Sequence, residues 1–386
     1  MNGMKTTILL SYICVASFSA AIITPALPQI QTVFHLTQGN LNWVVTIFLI
    51  GYMIAQLIYA PLANRYGRLT ALRIGFTINL LGIVLSLVSV ACHSYFLLLV
   101  ARAITALGAA AGLSCTFILI NESFTEVQAK HALSYAVVSF TAGIGLAVLI
   151  GGMVTQYIGW SATFWILLVH GLLALASTWA FKETLKEKKA VHVKAIFQNY
   201  ATAFKSKKLI SYALFLGFVS VISYCYSAGA PIIAQTFLHL TTSQYGYWNL
   251  LVMVGMLAGG ISAASVLKHY DMTHVLWVSL GMIAIGIVSL LTQALLQIPN
   301  VIWFFITISF IYLFAGWLFP CASFFASNAI SDKASASSSM SFINIASAVI
   351  SVAIMGYLPF NIFLALGFIL AIFLTSFVII NLFWRT

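Results

Sequence analysis

The chain has 386 residues, of which 62% are apolar and only 6% are charged. An ordinary soluble domain carries roughly a quarter of charged residues, so this composition excludes a soluble globular enzyme, a disordered protein and a disulfide-rich secreted scaffold. A polytopic membrane protein remains. The formal charge of +11 comes from basic residues in short loops between apolar runs, where it reports membrane orientation rather than a nucleic-acid partner.

The apolar runs are long enough for twelve transmembrane helices. A hydrocarbon core about 30 Å thick needs about 20 apolar residues in a helix. Such runs lie near residues 8–30, 41–62, 72–92, 95–119, 132–157, 160–181, 209–234, 245–267, 273–296, 300–324, 338–357 and 360–383. The sequence therefore predicts an all-α membrane protein whose twelve helices form two six-helix bundles, residues 1–181 and 209–386.

The charges predict the orientation of these helices. With an inner N-terminus, every basic residue except Arg102 falls on the inner side, together with all six acidic residues. This asymmetry indicates a multi-pass protein of a cell inner membrane with both termini in the cytoplasm. In the linker, residues 182–208, the apolar residues Ile196, Tyr200 and Phe204 recur at every fourth position beside lysines. They favour a basic amphipathic helix on the membrane surface, and an unstructured tether is the alternative.

The two halves of the chain resemble each other at an offset of 204 residues. Gly51 then falls on Gly255, and Gly82 falls on Gly286. Two parallel six-helix repeats with a pathway between them are typical of secondary transporters.

The loop between the second and third runs carries a motif. It resembles the signature of the major facilitator superfamily, usually written GxLaDrxGrkxxl, with Ala60 and Asn64 in place of the first Gly and the Asp. The resemblance implies the fold of that superfamily. Gly67 is expected to permit a tight turn, and Arg65 and Arg68 to anchor the turn on the anionic inner leaflet. Asn64 retains the capacity to cap a helix but not to form a charged gate contact. A generic basic turn is the alternative.

The fourth run contains an intramembrane arginine, Arg102. With Gly108 and the alanines that follow, it resembles the superfamily motif RxxqGxgaa. A charge at this depth costs about 2.5–3.5 kcal/mol on translocon scales, so Arg102 is expected to face a cavity and to have a role in binding or coupling. The alternative is a structural arginine bonded to backbone carbonyls of neighbouring helices.

The fifth run resembles the gxxxGPxxGG motif of drug antiporters at Gly143, Gly151 and Gly152, although Ala147 and Val148 replace Gly-Pro. Small residues at this spacing let helices approach closely and slide. Tight packing within one half is the alternative. The runs around Pro25 and Pro231 further resemble the bicyclomycin- and chloramphenicol-resistance branch of drug:proton antiporters.

Proton coupling is left open by the sequence, because Ala21 stands where that branch has a membrane-embedded Asp. Glu122, at the inner end of the fourth run, is the nearest acid, and partial desolvation would let it titrate near neutrality. A solvated helix-end acid is the alternative. His170 is a second candidate, with a core histidine as its alternative. Protons are thus a candidate coupling ion, and uniport remains open.

The pathway is expected to be wide, mostly neutral and walled by aromatic side chains. The polar and aromatic candidates for substrate contact are Gln56, Tyr224, Tyr226, Trp248, Asn249 and Asn328. Many of them could instead bond helix to helix. Such walls suit amphipathic organic solutes, which favours a secondary transporter that exports drug-like compounds.

Two other functions stay open. Arg102 has no acidic partner inside the membrane, which would suit transport of an anionic metabolite such as a carboxylate siderophore. The altered motifs would also fit a non-transporting receptor or assembly factor on the same fold. An enzyme is disfavoured, since no nucleophile–base pair or metal cluster falls in a run. A monomer without metal, cofactor or nucleic-acid partner is expected, and the five cysteines are interpreted as small core hydrophobes.

Overall fold

The computed structural model describes residues 3–185, 204–330 and 333–385. These ranges are almost entirely helical and contain no strand. Twelve helical segments within them are long and apolar enough to cross a membrane. The predicted all-α class and the twelve spans are therefore confirmed, although most of the segments extend a few residues beyond the apolar runs.

The chain divides into two compact units. Unit 1 holds Met1–His35 and Trp43–Val191, and unit 2 holds Leu36–Asn42 and His192–Thr386. Residues 186–203, with most of the predicted amphipathic helix, lie outside the described ranges. The domain limits of 181 and 209 and the form of the linker therefore stay predictions.

Unit 1 is built from the first six spans. Its helices are α1 (Gly3–Ala21), α2 (Leu27–Val33), α3 (Gln38–Tyr66), α4 (Arg68–Ala91), α5 (Tyr95–Ser123), α6 (Glu126–Tyr157) and α7 (Ala162–Ser177). The first five residues of α3 are assigned to unit 2. The first span is broken into α1 and α2 by a 3₁₀ turn that contains Pro25. Proline lacks the N–H that a continuous helix needs, so the break follows from the sequence.

Unit 2 is built from the last six spans. Its helices are α8 (Lys207–Thr236), α9 (Thr242–His269), α10 (Met272–Leu295), α11 (Val301–Ser327), α12 (Lys333–Tyr357) and α13 (Ile362–Arg385). Pro231 lies inside α8 and Pro320 inside α11.

The helix ends reproduce the 204-residue repeat. Helix α4 begins at Arg68 and α10 begins at Met272, which are 204 positions apart, and their last residues are separated by the same interval. The left-handed residues that follow the spans repeat as well: His35 (φ 51°) pairs with His239 (φ 54°), and His93 (φ 48°) pairs with Gln297 (φ 52°). A left-handed residue is a common way to end a helix, so both units end these spans by the same device.

Candidate functional site

The turn between α3 and α4 requires a glycine. Gly67 has φ 117°, a conformation that side-chain-bearing residues rarely adopt. A Cβ at this position would also lie 2.8 Å from the carboxyl carbon of Glu183. The tight turn expected at Gly67 is thus present, and two independent constraints demand a glycine there.

Glu183 caps the helix that this turn begins. Gly67 is the N-cap of α4 and has no side chain to serve that end. The backbone N–H groups of Arg68 and Leu69 donate to the carboxylate of Glu183 at 2.8 and 3.1 Å. A carboxylate at this place satisfies free N–H groups and complements the helix dipole.

The same carboxylate is held by its own segment of chain. The backbone N–H groups of Thr184 and Leu185 donate to Glu183 Oε1 at 3.0 and 3.1 Å. Partial burial acts to raise the pKa of Glu183, but the four backbone donors outweigh it and hold the pKa below the usual value. Glu183 is therefore an anion at neutral pH that ties the start of the linker to α4.

Arg68 and Glu122 form an ion pair behind the turn. Arg68 Nη2 lies 2.7 Å from Glu122 Oε1, and Arg68 Nε donates to both carboxylate oxygens at 3.1 Å. The guanidinium also donates to the carbonyl of Ala63 at 2.9 Å, and the hydroxyl of Thr184 donates to Glu122 Oε2. We call Arg68, Glu122, Glu183 and Thr184 the turn network.

Two expectations about the turn network are wrong. Arg68 is buried and paired inside unit 1, so it does not anchor the turn on a lipid leaflet. The side chain of Glu122 is 32% exposed and paired with a guanidinium, whereas titration near neutrality required a carboxylate withdrawn from water and from cations. The ion pair with Arg68 on α4 instead places the carboxylate beside a cation.

The other motif residues sit at the edge of the turn network. Arg65 is exposed, and its guanidinium carbon lies 5.2 Å from the centre of the Tyr66 ring. Asn64 is half-buried inside α3 and does not cap α4, because Glu183 performs that function. Glu183 and Thr184 are site residues that the sequence did not predict. The available signal was an acid directly after the sixth apolar run, which was used only to orient the chain.

Arg102 is buried among backbone carbonyls. It is 1% exposed, and its Nη1 donates to the carbonyl of Ser19 at 2.9 Å, with a longer contact of 3.4 Å from Nε to the carbonyl of Val44. Its guanidinium carbon lies 4.3 Å from the centre of the Phe48 ring. The expectation that Arg102 faces a cavity is not met, and the contacts are those of a structural arginine. Its role in transport stays a prediction.

The glycines of the fifth apolar run pack within unit 1. A Cβ on Gly143 would lie 2.7 Å from the hydroxyl of Ser17, and one on Gly151 would overlap the carbonyl of Ile22. Gly152 is also buried. Gly143 and Gly151 therefore bring α6 against the first span, which is the tight packing within one half that the sequence allowed as an alternative.

In unit 2, two predicted site residues come together. The hydroxyl of Tyr226 donates to Asn249 Oδ1 at 3.0 Å, and both side chains are buried. The ring of Tyr226 lies 5.8 Å from that of Tyr312, and Trp248, one residue before Asn249, stacks on Phe305 at 5.5 Å. We call these five residues the aromatic cluster. It contains hydrogen-bonding groups but no formal charge.

The remaining candidates are not among the five residues of the aromatic cluster. Asn328 follows α11 and donates to the carbonyl of Phe324 at 2.9 Å. Tyr224 is half-buried in α8, and Gln56 is half-buried in α3 of unit 1. His170 packs its ring 4.8 Å from that of Phe18, as a core histidine would. Within the described ranges, no three His, Cys, Asp or Glu side chains group as metal ligands.

The family follows from comparison with known proteins. The family model of the Major Facilitator Superfamily matches residues 9–356. The chain belongs to this superfamily. It is therefore a multi-pass membrane transporter rather than an enzyme.

Among solved structures, a D-xylose–proton symporter is similar with a TM-score of 0.80 and 15% identity over 96% of both chains. An inward-open xylose transporter from E. coli gives a TM-score of 0.76 at 14% identity over 97% of this chain and 95% of that chain. At these identities the likeness shows the fold alone.

Several relatives are named for drug resistance. Multidrug resistance protein D of Escherichia coli is 24% identical over 321 residues, which cover 81% of this chain and 77% of the relative. Multidrug resistance protein Stp of Mycobacterium tuberculosis is 32% identical over 169 residues, 42% of this chain and 30% of the relative. The MFS-type transporter phiD of a fungal species is 30% identical over 173 residues, 44% of this chain and 25% of the relative. The chain thus spans less than a third of the length of the last two relatives.

Proposed function

We propose that the protein is a secondary transporter that exports small amphipathic organic compounds by alternating access. The observation that carries the proposal is the uncharged aromatic cluster of unit 2, in which Tyr226 and Asn249 supply hydrogen-bonding groups and Trp248 and Phe305 supply aromatic rings. Aromatic faces with a few polar groups bind amphipathic solutes by area burial and stacking. The multidrug resistance relatives support the same substrate class.

The turn network has a proposed role in gating. It joins α4, α5 and the start of the linker through one ion pair and two backbone hydrogen bonds to Glu183. A connection of this kind has two discrete states, made or broken, and can bias a conformational equilibrium. Gly67 and Arg68 would act through this network, and Gly143, Gly151 and Gly152 through the contact of α6 with the first span.

Efflux of a panel of fluorescent compounds tests the proposal. Cells that lack their own pumps would express the protein and be loaded with neutral, cationic and anionic amphiphiles. We expect neutral or cationic compounds to accumulate less, and Tyr226→Phe and Asn249→Ala to raise their accumulation. Tyr157→Phe, an exposed tyrosine at the end of α6, is the matched control. Accumulation equal to that of cells without the protein, for every compound, would contradict drug export.

A second candidate substrate is an anionic metabolite. Arg102 is a buried cation, and in the part of the chain that the structure describes no carboxylate lies within ion-pair distance of it. Exchange of labelled organic anions in proteoliposomes tests this candidate. Anion exchange that Arg102→Lys weakens, with no amphiphile efflux, would favour it over drug export.

We further propose that the protein lies in a cell inner membrane and that both of its termini are in the cytoplasm. Cys92 is an exposed cysteine directly after α4, at the opposite end of that helix from the turn network, so the interpretation of every cysteine as a core residue is wrong for Cys92. In this orientation a membrane-impermeant thiol reagent should label Cys92 from outside in intact cells, and Cys92→Ser should abolish that labelling. Labelling that requires membrane disruption would reverse the orientation.

A further inference from the structure

An arginine on α4 is held over an exposed tryptophan. Arg73 Nε donates to the hydroxyl of Thr178 at 3.1 Å, and Nη2 donates to the carbonyl of Thr178 at 3.3 Å. The guanidinium carbon lies 5.0 Å from the centre of the Trp179 ring. Trp179 is 64% exposed, whereas Thr178 is buried. The arginine is therefore fixed in one position at the side of unit 1.

The guanidinium of Arg73 has N–H donors that no described residue engages. A guanidinium has five N–H donors, and the two bonds to Thr178 engage only two of them. No carboxylate approaches Arg73 to ion-pair distance within residues 3–185, 204–330 and 333–385. Arg68, on the same helix, differs because Glu122 neutralises it. Among the described residues, Arg73 is thus a positioned cation without an anionic partner.

Exposed apolar side chains follow Arg73 along α4 and precede Thr178 along α7. Ile74 and Leu81 on α4 are 40% and 62% exposed, and Leu172 and Leu173 on α7 are 50% and 66% exposed. These side chains lie within spans, where the surrounding medium is hydrocarbon. A cation beside the end of such a face matches a molecule that has a phosphate at one end and an acyl chain at the other.

We propose that Arg73 and Trp179 bind the phosphate and glycerol region of an anionic phospholipid, whose acyl chain lies on the exposed faces of α4 and α7. The planar fork of arginine suits phosphate, and an indole ring is favoured at the level of lipid headgroups. The partner is a lipid of the leaflet on the side of the turn network. The site does not depend on the substrate of the transporter, so it stands or falls separately from the proposed export function.

Fluorescence quenching by brominated lipids tests the site. The protein would be reconstituted in nanodiscs of phosphatidylcholine with a small fraction of brominated phosphatidylglycerol or brominated phosphatidylcholine. The Trp179 signal is the difference between the wild type and Trp179→Phe. One arginine near the surface favours an anionic lipid about five-fold. We therefore expect the anionic lipid to quench Trp179 about five-fold more effectively, and Arg73→Gln to bring that ratio close to one.

Two controls keep the result interpretable. Lys268→Gln removes an exposed positive charge from unit 2 and should leave the ratio unchanged. Quenching by brominated phosphatidylcholine should be the same in Arg73→Gln as in the wild type, which shows that Trp179 still faces lipid. A ratio near one in the wild type, or the wild-type ratio in Arg73→Gln, would overturn the proposal. Loss of the preference on adding soluble glycerol phosphate would also overturn it, since a free phosphate would then suffice.

Discussion

Glu183 Oε1 accepts a hydrogen bond of 2.8 Å from the backbone N–H of Arg68, a residue 115 positions earlier in the chain. Unit 2 caps the equivalent helix differently. Asp271, which occupies the repeat position of Gly67, is the N-cap of α10 and accepts a hydrogen bond of 2.9 Å from the backbone N–H of Thr273. In unit 1, therefore, glycine forms the turn, and the N-terminus of α4 is capped by Glu183 at the start of the linker, which we call the imported cap.

Removal of the imported cap should destabilise unit 1. Loss of an N-cap side chain costs about 1 kcal/mol, so Glu183→Ala should lower the thermal unfolding temperature of the purified protein measurably. Asp271→Ala should cost a similar amount because it removes the local cap of α10. The neighbouring Lys182→Ala serves as control and should have almost no effect. An unchanged unfolding temperature in Glu183→Ala would show that the two backbone hydrogen bonds do not stabilise α4.

The same cap should make stability depend on pH. The folded pKa of Glu183 lies below the unfolded value, so the unfolded state binds more protons between these two values. Stability from Glu183 is therefore fully present above the unfolded pKa and is lost as the pH falls through the folded pKa. The thermal unfolding temperature should decline between pH 7 and pH 3, and the decline should be smaller in Glu183→Gln than in the wild type. Equal declines in both proteins would remove Glu183 as its source.

The sequence predicts local and repeated features better than distant contacts. The spans follow from apolar runs, the turn follows from Gly67, and the 204-residue offset predicts where α10 begins. The pairing of Glu183 with α4 could not be predicted, because nothing in the spacing of two residues so far apart indicates contact. The environment of Arg102 could not be predicted either. The same motif can hold an arginine that bonds to backbone carbonyls or one that faces a cavity, and only the contacts with neighbouring helices distinguish the two.

Glycine at position 67 should be irreplaceable. The backbone of Gly67, with φ 117° and ψ 151°, lies in a region that essentially only glycine adopts, and a side chain there costs about 1–3 kcal/mol. A Cβ would also displace Glu183. Gly67→Val should therefore unfold at lower temperature and transport poorly while still reaching the membrane. Gly281→Ala is the control, because nothing lies within 4 Å of its Cβ position, and it should be neutral or slightly stabilising. Full activity in Gly67→Val would mean that the turn is only a connector.

Three substitutions separate structure from transport at Arg102. Arg102→Ala leaves a cavity and frees the carbonyl of Ser19, so it should reduce both stability and transport. Arg102→Met fills the same space without a charge, and apolar replacement of a buried charge is often neutral or stabilising. Arg102→Lys keeps the charge but loses the planar fork, and should retain only part of the transport.

Transport and unfolding would be measured on the same preparations of these variants. We expect Arg102→Met to be folded and inactive if the charge acts in transport. Wild-type transport by Arg102→Met would limit the residue to packing, and wild-type rates in Arg102→Ala would exclude any role.

Glu122 offers the last test, because a proton carrier and a structural partner of Arg68 respond differently to the same change. A proton that moves down 100 mV supplies about 2.3 kcal/mol, and a carrier must expose a titrating group to both sides to use it. Glu122 is instead paired with Arg68 at 2.7 Å and with Thr184. Glu122→Gln should therefore weaken uphill and downhill transport together and leave the dependence on pH unchanged.

A double-mutant cycle with Arg68→Gln identifies the reason for that loss. Exposed pairs couple by about 1 kcal/mol or less, and a coupling in free energy of unfolding at or above the upper end of that range is expected here, because the guanidinium is buried and the carboxylate is only 32% exposed. Selective loss of uphill transport in Glu122→Gln, with downhill exchange intact, would instead make Glu122 the coupling group. If uphill proton-driven transport persists unchanged in Glu122→Gln, Glu122 does not carry the proton, and His170 becomes the residue to replace next.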